Sequence, residues 1–421
     1  MKAIETINFS IAIIFFMFYA YQAIYIPVVW WKKPKPHKPA VPHRFAVLIS
    51  ARNEERVIRQ LLDSIRAQTY DVKRITVFVM ADNCTDRTAQ IAREAGAVVY
   101  ERHNRKQVGK GYALNELLRH IDEDYPTHPF DAYFVFDADN VLDKNYIAAM
   151  NQTYSDGYQV ITSYRNSKNY GDNWISAGYS LWFLREARYL NNARMLLNTS
   201  CAVSGTGFMF SRQVLEQCGG WHFFLLTEDI EFTINCVIAG QKIGYCDEAV
   251  LYDEQPTEFS QSWNQRLRWA KGFLQVFRDY GRPLVRKGFS GSFSAYDMTM
   301  TTMPAMVLSM VGLLLNVCTL FYGLFSGRTE FAWLGGFILV QSLVSIYLGS
   351  FVIGLVTLIS EWKQIHTSTK RKIFYLFTFP LFMLTYIPIA FVSLFKKVSW
   401  SPIIHKEAKT VAEICSGEHA A

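Results

Sequence analysis

Four apolar runs constrain this chain more than anything else in it. Phe9 to Val29, Met298 to Phe325, Phe331 to Ser360 and Ile373 to Phe395 contain no charged residue, and each is long enough to cross a bilayer. Half of the residues are hydrophobic, yet the mean hydropathy is only +0.06, so the apolar residues are gathered rather than spread. The stretch between the first two runs therefore reads as a separate, water-facing domain. The expected organisation is a transmembrane helix with a basic, Pro-rich linker (1–43), a globular domain (44–285), a helical transmembrane region (286–396) and a tail (397–421).

Charge gives the orientation. Lys32, Lys33, Lys35, Lys38 and Arg44 follow the first run, which places the globular domain on the cytoplasmic side of the plasma membrane. A cleaved signal peptide fits less well, because the run is long, rich in aromatics and lacks a small-x-small site after it. Lys363, Lys370, Arg371 and Lys372 precede the last run and also belong inside. Three full crossings would then carry the tail outside, against its own Lys396, Lys397, Lys406 and Lys409. A partly re-entrant last segment, which Pro380 and Pro388 permit, removes the conflict. The formal charge of +7 reads as basic flanks facing an anionic lipid bilayer. No basic block interleaved with aromatics occurs, so nucleic acid is not an expected partner. The seven cysteines are scattered without a C-x-x-C pair, which argues against structural zinc and fits reduced thiols.

From Arg44 to about Tyr280 the pattern alternates. Phe45–Ser50, Ile75–Met80, Val98–Tyr100 and Tyr133–Phe136 have strand length; Glu54–Gln68, Thr88–Glu94 and Lys110–His120 between them read as helices. This order predicts a largely parallel sheet with right-handed crossovers, whose ligands bind beyond the carboxyl ends of the strands. Asn53, Asp82 and Asp137 all follow such strands, so three polar loops converge on one edge. Trp263 to Phe277 is expected as an amphipathic interfacial helix, with Arg266, Arg268 and Lys271 off its apolar face. Trp174 to Leu197 reads either as interfacial or as an ordinary packed helix.

The chemistry concentrates in short motifs. Asp137 and Asp139 flank Ala138 at the end of the fourth strand. Residues two apart on an extended chain share a face, so both carboxylates can meet one Mg²⁺ or Mn²⁺ that keeps positions open for substrate phosphates. The plain alternative is one turn cap and one solvated side chain. Thr227-Glu228-Asp229 offers a general base for an incoming hydroxyl, and equally an N-cap with an acidic first turn. Gln265-Arg266-Leu267-Arg268-Trp269 offers forked donors for a diphosphate and an aromatic face for a sugar. Val108-Gly109-Lys110-Gly111 lacks the full phosphate-loop pattern, so an ATPase is not expected. Gly205-Thr206-Gly207 looks like a turn where a ligand approaches the backbone.

Taken in order, Ser50-Ala51-Arg52-Asn53-Glu54-Glu55, Ala81-Asp82-Asn83, Lys110-Gly111, Asp137-Ala138-Asp139, Gly205-Thr206-Gly207, Thr227-Glu228-Asp229 and Gln265-Arg266-Leu267-Arg268-Trp269 resemble the membrane-embedded family 2 glycosyltransferases. That group contains the cellulose, chitin, hyaluronan and poly-N-acetylglucosamine synthases, and the overall look is similar to bacterial exopolysaccharide synthases. The resemblance spans most of the chain. It implies an α/β GT-A (Rossmann-like) cytoplasmic domain combined with a transmembrane helical region, and an inverting transfer from a UDP-sugar. By the same resemblance Arg52, Glu54 and Asp82 hold the uridine, Lys110 approaches the diphosphate, Asp137 touches the nucleotide and Asp139 ligates the metal. Gly205, Thr206 and Glu228 line the acceptor side, and Asp229 is the base. Gln265, Arg268 and Trp269 close the site over diphosphate and acceptor. Ser399-Trp400-Ser401-Pro402 is similar to a Trp motif near the cytoplasmic site in some members, which favours an inside tail. One N-terminal membrane segment stands where several synthases have two, and there is no room for a nucleotide-sensing regulatory domain.

The leading expectation is a processive synthase that extends a glycan acceptor, with secretion a further step. The alternative enzyme adds one sugar to a lipid acceptor of the ceramide or polyprenyl-phosphate type. A non-catalytic scaffold is the third reading, and the complete set of carboxylates argues against it. UDP-glucose and UDP-N-acetylglucosamine are the expected donors; no motif separates them.

Overall fold

The computed structural model describes residues 1–127 and 129–416. Helices α1 (Lys2–Tyr19) and α2 (Tyr21–Trp31) form one rod joined through a helical Ala20. The domain then begins β1 (Phe45–Ala51), α3 (Ile58–Arg66), β2 (Ile75–Asp82), α4 (Thr88–Glu94), β3 (Val98–Arg102), α5 (Lys110–Asp124), β4 (Ala132–Asp137), in the alternation the spacing predicts. It continues β5 (Val141–Leu142), α6 (Tyr146–Ser155), β6 (Val160–Ser167), α7 (Trp174–Arg185), α8 (Asn192–Leu196), β7 (Phe208–Ser211), α9 (Arg212–Gln217), α10 (Glu228–Ala239) and β8 (Ile243–Asp253).

The eight strands form one sheet in the order β3-β2-β1-β4-β7-β6-β8-β5. β1 to β4 pair in parallel, as expected, but β7 runs antiparallel to both β4 and β6, so the sheet is mixed rather than largely parallel. The cause is local. The chain enters β7 through the Gly205–Gly207 turn at the carboxyl end of β4, where Gly207 N–H donates to Val135 O, so β7 can only run back down the sheet. Both faces of the first four strands are covered. Ala46 and Leu48 pack with Ala113, Leu114, Leu117 and Ile121 of α5, and Phe45, Val47 and Ile49 with Leu61, Leu62 and Ile65 of α3. Two covered faces explain why these strands read as unbroken apolar runs.

After the sheet come α11 (Phe259–Phe289), α12 (Phe293–Thr302), α13 (Pro304–Phe325), α14 (Thr329–Ser360), α15 (Thr369–Leu384) and α16 (Tyr386–Phe395). Four stretches, Lys2–Trp31, Phe293–Phe325, Thr329–Ser360 and Thr369–Phe395, are long and apolar enough to cross a membrane. The last is unlike the others. Tyr375 O–H donates to Gly171 O (3.4 Å), Arg266 Nη1 to Phe382 O (3.3 Å), and Lys271 Nζ to Ser393 O (3.0 Å). A helix pair that meets the domain near both ends and in its middle lies along it. The tail that follows lies beside the domain.

A buried cluster clamps α2 to the domain. Asp297 of α12, fully buried, accepts from Tyr21 O–H (2.6 Å), Tyr25 O–H (3.0 Å), Arg194 Nε (2.7 Å) and Arg194 Nη2 (3.1 Å). Arg194 itself is 1% exposed.

Candidate active site

One cavity of about 1630 Å³ opens along the carboxyl edge of the sheet and runs on between α1, α13 and α14. Arg52, Glu54, Asp82, Lys110, Asp137, Asp139, Gly205, Glu228, Asp229, Gln265, Arg268 and Trp269 all line it. The sequence-derived residues are thus brought together, with one exception. Thr206 is buried behind the wall, where its hydroxyl accepts from Asp137 N–H (2.9 Å) and donates to Asn140 Oδ1 (2.5 Å).

A chain of polar contacts joins the two carboxylate motifs. Lys110, at the start of α5, donates from Nζ to Asp137 Oδ1 (2.6 Å) and to Gly205 O (2.8 Å). Gly205 N–H donates in turn to Asp229 Oδ2 (2.6 Å). The strand end carrying Asp137 and the helix start carrying Asp229 are therefore one hydrogen-bonded unit. Gly111 makes this placement possible: a Cβ there would sit 2.0 Å from Phe223 O, so only glycine lets α5 come so close to the Trp221–Phe224 backbone. The glycine beside Lys110 thus serves close packing.

Asp139 is 4% exposed; its Oδ2 accepts from Glu254 N–H (2.9 Å), while its other oxygen has only a 3.5 Å approach from Asn140 Nδ2. Burial alone would raise its pKa, but the positive charges of His405 and Lys168 hold it below the usual value. Among the described residues no three His, Cys, Asp or Glu side chains converge into a metal cage. Two carboxylates with free oxygens facing a cavity nonetheless fit a hard cation that takes its remaining ligands from phosphate and water.

Asp82 ends β2 and is held by Arg102 Nη1 (2.7 Å), both side chains nearly sealed from solvent. Glu228 is buried beside Asp229, and burial followed by that like charge pushes its pKa up to about 7. Thr227 does not cap α10, contrary to the N-cap reading: its hydroxyl is buried without a partner among the described residues. Glu231, in the first turn, accepts instead from Leu225 N–H (2.9 Å), ahead of the helix.

The Gln265–Trp269 stretch divides. Arg268 reaches the cavity and donates to Leu226 O (3.2 Å); Trp269 packs edge-on to Tyr179; Gln265 lines the wall with a buried, unpartnered Oε1. Arg266, expected off the apolar face, is instead fully buried among Phe382 and Tyr386 and donates to Thr385 Oγ1 (2.5 Å). Covering by α15 and α16 turned a surface position into a core one.

Three further groups escaped the sequence. Arg165, whose guanidinium lies 3.7 Å above the Phe183 ring, pairs with Asp253 at the end of β8 (Nε–Oδ2 2.6 Å), and both line the cavity. Burial raises Asp253 to about 6 even against Arg165. The third is the tail beyond the Trp400 motif, which the resemblance already set near the site. Trp400 lies under the Arg52 guanidinium, and His405 Nδ1 sits 3.0 Å from both Glu54 carboxylate oxygens. Lys406 and Glu407 N–H groups donate to the Glu254 carboxylate (2.9 and 2.8 Å). Burial disfavours a charged His405, yet Asp139 and Glu54 push its pKa up to about 10. Asp253 could have been suspected as a third strand-end carboxylate; nothing local marks His405.

The profile described as "Glycosyltransferase like family 2" matches residues 42–272. Among curated relatives, the probable glycosyltransferase YdaM of Bacillus subtilis is 27% identical over 58% of this chain and 57% of its own length. A beta-monoglucosyldiacylglycerol synthase of Nostoc is 29% identical over 61% and 54%, and a poly-beta-1,6-N-acetyl-D-glucosamine synthase of Staphylococcus aureus 23% identical over 58% and 58%. The match spans a little over half the length of these relatives. The mannosyltransferase PcManGT from Pyrobaculum calidifontis, solved in complex with GDP-Man and Mn²⁺, superposes with a TM-score of 0.60 at 16% identity, over 93% of this chain and 99% of that one. The fold is thus GT-A-like with a mixed sheet, and, its profile covering more than half of the sequence, the chain belongs to glycosyltransferase family 2.

Proposed function

We propose that this chain transfers a sugar from a UDP-sugar to an acceptor hydroxyl presented from the membrane, at the cytoplasmic face and with inversion at the anomeric carbon. One observation carries the reading: the same cavity holds the strand-end carboxylates, Asp229 and the inner faces of α1, α13 and α14. Arg52, Glu54 and Asp82 form the nucleotide side. Lys110 and Arg268 bear on the diphosphate, and Asp229 on the acceptor, two hydrogen bonds away from Lys110 through Gly205.

The chemistry follows. The acceptor O–H gives its proton to the Asp229 carboxylate as its oxygen forms a bond to the anomeric carbon. The bond from that carbon to the diphosphate breaks on the opposite face, and its electron pair leaves on UDP. Lys110 and Arg268 stabilise the charge that develops there. A Mg²⁺ or Mn²⁺ held by Asp139 and Asp137 would add charge neutralisation at the diphosphate. Trp269 and Arg165 wall the reacting centre from solvent.

A growing glycan remains a second acceptor reading, supported by the aromatic faces of Trp182, Phe183 and Trp269 on the cavity wall. The test is turnover of the full chain in lipid against a panel of radiolabelled UDP-sugars with Mg²⁺ or Mn²⁺. Label from one donor is expected in a covalent product. Asp229→Asn is expected to lose on the order of 10²- to 10⁴-fold in rate while UDP binding persists. Undiminished turnover by that variant removes Asp229 as the base.

A further inference from the structure

The cavity's deep arm is an apolar groove inside the membrane helices. It is lined from Met303 to Val317 on α13 and from Ile346 back to Trp333 on the antiparallel α14. At the helical rise this is a depth of about 20 Å. On α13 the lining ends there, although the helix continues to Phe325, while on α1 it reaches Glu5, one turn past Asn8. The closure is built. A Cβ at Gly335 would lie 2.8 Å from Asn316 O and 2.6 Å from Leu320 N, so α13 and α14 touch backbone to backbone from that level outward. On the other side Asn316 and Asn8 of α1 exchange side-chain amide hydrogen bonds (2.7 and 3.0 Å), the α1 contact that floors the groove.

A path for an exported polymer has to leave on the far side, where two touching helices and an amide pair obstruct it. A hydrocarbon chain, in contrast, needs an apolar slot about as long as one leaflet's share of the ~30 Å hydrocarbon core, roughly 15 Å, and a groove about 20 Å deep contains it. α1 packs on α13, and α14 packs on α13 and α15, with the groove running between α1 and α14. The reacting end is lined by the adjacent carboxylates Glu228 and Asp229, which suit a neutral hydroxyl and repel a lipid phosphate.

We infer that the acceptor is an uncharged, long-chain lipid alcohol of the diacylglycerol class, with one acyl chain lodged between α1, α13 and α14 and its hydroxyl at Asp229. The Asn8–Asn316 floor sets the chain length the groove accepts. The inference rests on the glycosyltransfer reading and narrows its acceptor.

The experiment uses the full chain in vesicles with the accepted UDP-sugar and three acceptors: dioleoylglycerol, dioctanoylglycerol and a soluble oligosaccharide. Ala12→Trp and Ser342→Trp place an indole in the groove from exposed positions on its wall. Each variant is expected to lose at least about tenfold in transfer to dioleoylglycerol, through KM, and to keep transfer to dioctanoylglycerol and UDP binding. Equal loss with both lipids, no loss with either, or label only in oligosaccharide or polymer overturns the inference and leaves glycosyltransfer standing. No transfer from any UDP-sugar to any acceptor overturns the reading beneath it. The groove is also tested without turnover, by photolabelling with a diazirine-bearing long-chain diacylglycerol. Adducts on the inner faces of α1, α13 and α14 are expected, and adducts confined to their outer faces overturn it.

Discussion

Replacing Asp297 by Asn should destabilise the whole assembly, and the structure sets the size. Asp297 is the counter-charge of Arg194 and the acceptor for Tyr21 and Tyr25, in a cluster with no solvent access at the carboxylate. Asn keeps the shape and one carbonyl acceptor, so the tyrosine bonds survive in part. What it removes is the charge facing a guanidinium that is 1% exposed. Removing one member of a buried pair costs about 3–5 kcal/mol, because the other charge is left without compensation. At roughly 2 °C per kcal/mol for a chain of this size, the melting temperature in detergent should fall by about 6–10 °C. Arg194→Met in the same background supplies the control. With both charges gone the double variant should be destabilised by at least about 2 kcal/mol less than the sum of the single changes. An Asn variant that melts within about 2 °C of the native protein, or a double variant that is simply additive, refutes the argument. Since Tyr21 and Tyr25 sit on α2, protease access to α1 and α2 should rise in step with the lost stability.

Two further outcomes follow from the site. Glu228 has its pKa raised from the ordinary 4.5 to about 7, so between those values the folded protein holds a proton that the unfolded chain has released. Stability must then fall as pH rises through that window, by up to about 3 kcal/mol. Glu228→Gln should flatten the melting profile there, and an unchanged slope would exclude the burial as its cause. His405→Gln removes the imidazolium from Glu54 and loosens the tail while preserving its shape. A charged hydrogen bond of about 1.5–3 kcal/mol should appear as a rise of roughly 10- to 100-fold in KM for the UDP-sugar. A KM within twofold of the native value would leave the tail a bystander.

Much of this protein was legible in its letters, because much of it is local. Apolar runs of strand length, helical periods between them and four uncharged stretches record burial along the chain itself. So β1 to β4, α4, α5 and the apolar helices fall where periodicity puts them. Strand ends also announce themselves, which is why the sequence alone places Asp82, Asp137 and Asp139 on one edge. What the letters could not carry is the identity of a partner far away in the chain. Arg266 reads as a surface cation until Phe382 and Tyr386 cover it. Thr227 reads as a cap, yet its hydroxyl is buried without a partner among the described residues. Periodicity does not mark β7, and the turn before it reverses its direction and makes the sheet mixed. His405 lies 351 residues from Glu54, and Asn8 lies 308 from Asn316. Periodicity measures how deeply a residue is buried, whereas a charge network, a tail threaded into a cavity and the floor of a groove depend on what it is buried against, which only the folded chain decides.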